Sequence, residues 1–258
     1  MGELAAHRRR IKVNGETAVV AELGDVNARR VVVIAASMLV RDKSYRPLLH
    51  ELARQNYRVI VVEMPGCGYA SPVKLPWSMD DYARWLALFL PALKLKIRPI
   101  LIGHSNSGPP VALLAAARPD LIAALVFCDV TGADERFSLW PLLVGRGIDA
   151  VIEWKLTLIG FHHVVFNLFF HFRNCFNQIS LAAQSDIRDA ARKIETPTLI
   201  AWGERDHTCP AHCGQVIESL VHDVHCHVSP RVSHDWLITH PDAFVRVLDD
   251  YLDSLDAR

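Results

Sequence analysis

Ile100-Leu101-Ile102-Gly103-His104-Ser105-Asn106-Ser107-Gly108 runs from an apolar strand into a glycine-flanked turn, and the small residues Pro109 to Ala117 follow as a helix. A strand, a tight turn and a helix meeting this abruptly hold the central residue in a strained backbone conformation. The Ser105 hydroxyl then stands at the top of a sheet and does not pack inside it. Small residues are needed two positions to either side, because strand and helix approach too closely for bulk. Gly103 meets that need. The other position is Ser107, with Gly108 beside it.

Strand–helix alternation surrounds this turn. Arg8–Val13 and Glu16–Glu22 flank Asn14-Gly15, a strong hairpin signal. Val31–Ala35 is a β-branched run, Ser44–Gln55 has helical spacing of Leu48, Leu49, Leu52 and Ala53, and Arg58–Glu63 is again a strand. Asp80–Leu93 reads as a helix with Ser78 as N-cap, and Leu121–Cys128 as a strand. The alternation resumes late, with helices at Asp186–Ile194, His212–Val221 and Pro241–Leu255 and strands at Pro197–Trp202 and Val224–Val228. Such a rhythm predicts an α/β fold whose mostly parallel sheet is covered on both faces.

Between Asp129 and Ser185 the rhythm breaks into a helical stretch dense in Phe, Trp, Leu and Ile. The chain therefore divides into a core, 1–129 with 186–258, and a helical insertion after the sixth strand, 130–185. The insertion has more apolar side chains than a surface helix needs, so a subset is expected to line a cavity: Trp140, Trp154, Phe161, Phe166, Phe169 and Phe170.

Composition narrows the partners. Lys+Arg and Asp+Glu are both 28, which leaves no basic field for nucleic acid. The six cysteines show no CxxC pair or metal spacing, so they are read as reduced and the chain as cytoplasmic. Met1 to Arg10 lacks a following apolar signal region. Leu156–Phe172, the longest apolar stretch, is too short and too interrupted by His162, His163, Asn167 and His171 for an integral membrane span, although weak contact with a membrane surface fits it.

From about residue 10 to the C-terminus the chain resembles the α/β-hydrolases. Tyr45-Arg46-Pro47-Leu48 resembles the start of that family's first crossover helix. Glu63-Met64-Pro65-Gly66-Cys67-Gly68-Tyr69-Ala70-Ser71 is similar to the D-x-P-G-x-G-x-S turn, with Glu for Asp. Gly103 to Gly108 matches the nucleophile elbow, Ala201-Trp202-Gly203-Glu204-Arg205-Asp206 the W-G-x-x-D segment, and Ser233-His234-Asp235-Trp236 with His240-Pro241-Asp242 the histidine loop and last helix. The resemblance implies an eight-stranded sheet with a helical cap, and a serine hydrolase that needs no cofactor or metal.

By that resemblance Ser105 is the nucleophile, His234 the general base and Asp206 the acid, in the family's chain order. A serine hydroxyl is a poor nucleophile until a base lies within hydrogen-bond reach. Asp129, which closes the sixth strand, is the alternative acid. The oxyanion donors are expected to be the backbone N–H of Asn106 and that of Ser37 or Met38, in a loop where the family usually shows His-Gly and this chain has Ala36-Ser37. His222, His225 and His227 have no acidic or cysteine ligand at suitable spacing beside them, so no metal is assigned. The implied chemistry is hydrolysis of a small to medium apolar carboxylic ester. The same residues could serve amide, lactone or carbon–carbon hydrolysis, and a ligand-binding protein of little turnover is the reading outside enzymology.

Overall fold

The computed structural model describes residues 6–37, 40–74, 76–133 and 138–257. Its eight strands are β1 (His7–Val13), β2 (Glu16–Leu23), β3 (Arg30–Ala35), β4 (Tyr57–Glu63), β5 (Ile100–His104), β6 (Ala124–Cys128), β7 (Thr198–Gly203) and β8 (Val224–Ser229). They form one sheet in the order β1-β2-β4-β3-β5-β6-β7-β8. The β1–β2 hairpin closes over Asn14-Gly15 and β2 meets β4 antiparallel, while β3 to β8 pair in parallel. β3 to β7 are apolar and buried almost throughout, as strands covered on both faces must be.

Helices α1 (Arg46–Arg54), α2 (Met79–Ala92) and α3 (Gly108–Ala117) follow β3, β4 and β5. Ser78 caps α2 in a reciprocal capping box with Asp81. Between β6 and β7 come α4 (Leu139–Ile152), α5 (Trp154–Phe170), α6 (Phe172–Gln184) and the single turn α7 (Arg188–Ala191), shorter than the helix expected there. α8 (His212–Glu218), a short α9 (Trp236–Thr239) and α10 (Pro241–Asp256) complete the chain. One core holds α2, α3 and α8 against the sheet; the other holds α1, α9 and α10 on the opposite face. The strand expected from Leu121 begins at Ala124, because Pro119–Leu121 forms a 3-10 turn instead.

The inserted helices reach back to the core through polar side chains. The Asn167 side chain accepts from the Gly68 N–H, His171 Nε2 meets the Gly68 carbonyl, and the Asn174 amide donates to the Gly66 carbonyl. Asn167 and His171, which interrupt the apolar run, and Asn174 of α6 thus hold Gly66 and Gly68 beside the sheet.

Candidate active site

Ser105 sits between β5 and α3 with φ of +55°, in the left-handed region that a side-chain-bearing residue enters under constraint. A Cβ on Gly103 would lie 3.1 Å from the Gly108 Cα, and one on Gly108 would run into Val130, so both glycines are needed for the approach. Ser107, standing where glycine is usual, turns its hydroxyl inward. It accepts from the His104 N–H at 2.9 Å and donates to the Ala35 carbonyl at 2.6 Å, tying the turn to β3.

The Ser105 Oγ is 2.9 Å from His234 Nε2, and His234 Nδ1 is 2.9 Å from Asp206 Oδ2. Asp206 also accepts from the Cys209 N–H at 2.7 Å. Burial disfavours charge on the His234 imidazole, but the charge and hydrogen bond of Asp206 and the charge of Asp235 outweigh it and raise its pKa above the ordinary value. Burial likewise pushes the Asp206 carboxyl up, against His234 and the Cys209 amide. Proton transfer from Ser105 to His234 is therefore geometrically direct, and the resulting imidazolium has an anionic partner.

Asp129 is turned elsewhere. Its Oδ1 accepts from the Gly203 N–H at 2.8 Å and its Oδ2 from the Cys128 thiol, while burial and the neighbouring Asp206 charge push its carboxyl well above the usual range.

A second buried network lies beneath this chain of hydrogen bonds. The Ser37 N–H donates to the Tyr45 hydroxyl at 2.9 Å, and that hydroxyl is 2.7 Å from His104 Nδ1. His104 Nε2 faces Asp235 Oδ1 at 3.4 Å, and Asp235 pairs with Arg146 of α4 at 2.8 Å. Burial holds His104 neutral, its pKa down to about 3, whereas Arg146 overcomes burial and keeps Asp235 well below the usual carboxylate range. Glu153, which accepts from the Asp235 N–H, is pushed up to about 9 by burial and by Asp235. A cavity of about 280 Å³ opens over Ser105 and His234, walled by Val40, Leu142, Leu143, Val164 and Ile179 with Arg146 at one side.

A family model described as the alpha/beta hydrolase family matches residues 40–247. The chain belongs to the alpha/beta hydrolase family. Among curated hydrolases, a pimeloyl-[acyl-carrier protein] methyl ester esterase of Chromobacterium violaceum is 26% identical over 219 residues, 76% of this chain and 84% of that one. The serine hydrolase BPHL of Mus musculus is 21% identical over 253 residues, 94% of this chain and 85% of that one. A crystal structure of a membrane phospholipase A superposes with a TM-score of 0.82 at 19% identity, covering 98% of this chain and 88% of that one. Hydrolase is the class these comparisons support.

Within this hydrolase fold the structure brings Ser105, His234, Asp206 and Asn106 together and changes two expectations. The Ser37 N–H is engaged by the Tyr45 hydroxyl, so it is not an open donor toward Ser105; Met38 lies outside the described residues. None of the six aromatic residues from which a pocket-lining subset was expected walls the cavity over Ser105 and His234. Phe161 borders a second cavity of about 230 Å³ that shares Val40, Arg146, Val164 and Asp235 with the first. Trp140, Trp154, Phe169 and Phe170 are exposed, and Phe166 packs on Tyr69 and Phe170. The aliphatic wall comes from the loop after β3, α4 and α6, with Val164 alone from α5, and apolar density alone does not select the face a helix turns inward. Arg146 stood in no motif, and Tyr45 and Asp235 stood inside recurring segments that gave them no role of their own. His225 and His227 pack on Tyr251 and Trp236.

Proposed function

We propose that the protein is a serine hydrolase of carboxylic esters with small to medium apolar acyl groups. Ser105 attacks the ester carbonyl while His234 takes its proton. The tetrahedral oxyanion receives the Asn106 backbone N–H. His234 returns the proton to the leaving alcohol, and water clears the acyl-enzyme by the same relay. Asp206 holds the imidazole tautomer and balances its charge, and α4 to α6 act as the cap over the acyl group.

The observation that carries this reading is the unbroken chain Ser105 Oγ–His234 Nε2, His234 Nδ1–Asp206 Oδ2, anchored on a serine of positive φ. The aliphatic cavity supports the apolar substrate, and the esterase among the relatives supports the bond class.

A series of p-nitrophenyl esters from acetate to octanoate tests it. Each methylene buried contributes ~0.8 kcal/mol, so kcat/KM is expected to rise about fourfold per carbon until the cavity fills. Ser105→Ala is expected to abolish turnover of the whole series. Equal kcat/KM for acetate and hexanoate would refute the apolar acyl site.

A further inference from the structure

Helix α5 is built inside out. His163, Asn167 and His171, four residues apart, form its buried edge and meet Ser44 and the Gly68 backbone. Its outward ridge is Leu158, Phe161, Val165 and Phe169, at spacings of three and four, with Leu158 67% and Phe169 83% exposed. Apolar side chains at that spacing are what a helix of a water-soluble domain turns toward its core. α4 repeats the pattern with Trp140, Val144, Ile148 and Val151 facing outward, Trp140 and Val151 each 74% exposed. Phe172 and Phe176 extend the face onto α6. Apolar side chains left exposed on three helices that pack against one another make a contact surface.

The charges say what it contacts. Between residues 138 and 185 the acidic residues are Asp149 and Glu153, and both point inward, to the His207–Thr208 loop and to the Asp235 N–H. Arg146 also points inward, to Asp235. The charges left exposed on these helices are Lys155 and Arg173, both positive. A second copy docked through this face would set like charges together with no acid to answer them. An anionic lipid surface answers both the cations and the apolar ridges, and exposed Trp140 and Trp154 suit the headgroup boundary. At 17 residues α5 is too short to cross a bilayer, and among the described residues no helix is long and apolar enough to do so, so contact is in the plane. Leu143 and Val164 are exposed on this face and also wall the Ser105 cavity, which joins the two surfaces.

We propose that α4 to α6 form a docking face for an anionic lipid bilayer, with the active-site cavity opening onto it. Resting on the esterase reading, this makes the substrates acyl esters that partition into lipid; the docking itself does not depend on turnover.

Co-sedimentation of the full chain with vesicles of phosphatidylcholine, alone or with about a quarter phosphatidylglycerol, tests it. Binding is expected to be stronger to the mixed vesicles and weakened at ~0.5 M NaCl. Val151→Ser/Leu158→Ser/Phe169→Ser is expected to reduce partitioning by about tenfold or more, with unchanged turnover of a water-soluble ester as the check on folding. Lys155→Glu/Arg173→Glu is expected to remove about fivefold or more of the preference for the mixed vesicles. Absence of wild-type binding to either vesicle, or binding unaltered by the triple substitution, would overturn the proposal. So would a stable dimer, seen by sedimentation equilibrium without lipid, that the triple substitution splits. Binding is read without substrate, so an inactive protein that still docks separates this proposal from the esterase reading.

Discussion

The Ser233 hydroxyl donates to Asp149 Oδ1 at 2.6 Å, joining helix α4 to the residue just before His234. Asp149 also accepts from the Thr208 N–H at 2.7 Å and the Thr208 hydroxyl at 2.6 Å, two residues beyond Asp206. One buried carboxylate therefore braces the loop carrying Asp206 and the loop carrying His234. Gly145, one turn earlier, lets α4 lie against the His207 carbonyl.

Asp149→Ala leaves these buried donors without an acceptor, at ~1–3 kcal/mol for each group not re-solvated. A lower melting temperature is expected, with kcat down ~10²-fold as the two loops shift. Thermal melts and steady-state kinetics check it. A variant with wild-type kcat would show that Asp149 supports folding alone.

Asp206 and Asp129 are expected to respond oppositely to the same change. Asp206→Asn deprives His234 of its anionic partner and favours the wrong tautomer, costing ~10⁴ in kcat. Asp129 is pushed toward its protonated form by burial and by Asp206, and its Oδ1 serves the Gly203 N–H, a bond that an asparagine oxygen can keep. Asp129→Asn is therefore expected to stay within about tenfold of wild type. The reverse ranking of kcat values would move the acid to β6.

His234 accepts a proton only when neutral, so kcat/KM should rise with pH through its raised pKa, placing the midpoint of the acid limb above 6.5. For stability the sign is opposite: the favourable charge on His234 counts fully below the unfolded value and is lost as pH climbs through the folded one. Asp235→Asn removes a nearby anion and leaves Arg146 unanswered. Both changes disfavour the imidazolium, and the limb should move to lower pH. A pH–rate profile in which the limb stays put or moves up would mean that Asp235 has no electrostatic hold on His234.

Local chemistry explains which features were legible in the sequence. Gly103, the strained Ser105 and the β-branched strands each constrain a few adjacent residues, so the turn and the parallel sheet could be read from neighbours. The roles expected for Asp206 and His234 came with recurring segments around them, and the structure brings their side chains together. The Ser37 N–H was a different matter, because what occupies it is a Tyr45 hydroxyl arriving from the start of α1. Arg146 and Asp149 meet their partners across 89 and 84 residues, through helices whose tilt no periodicity encodes. The aromatic residues of α4 and α5 show the same limit: where both faces of a helix carry apolar residues, spacing does not say which one is outside.

Covalent capture shows whether Ser105 is the nucleophile. A fluorophosphonate reacts at a serine activated by a neighbouring base and leaves a stable phosphonyl adduct, which intact-mass and peptide mass spectrometry locate. The geometry predicts one adduct per chain, on Ser105, formed more slowly when His234 is replaced by alanine and absent from Ser105→Ala. Wild-type protein that stays unmodified, or a Ser105→Ala variant that labels at the wild-type rate, would contradict the assignment of Ser105 as the nucleophile.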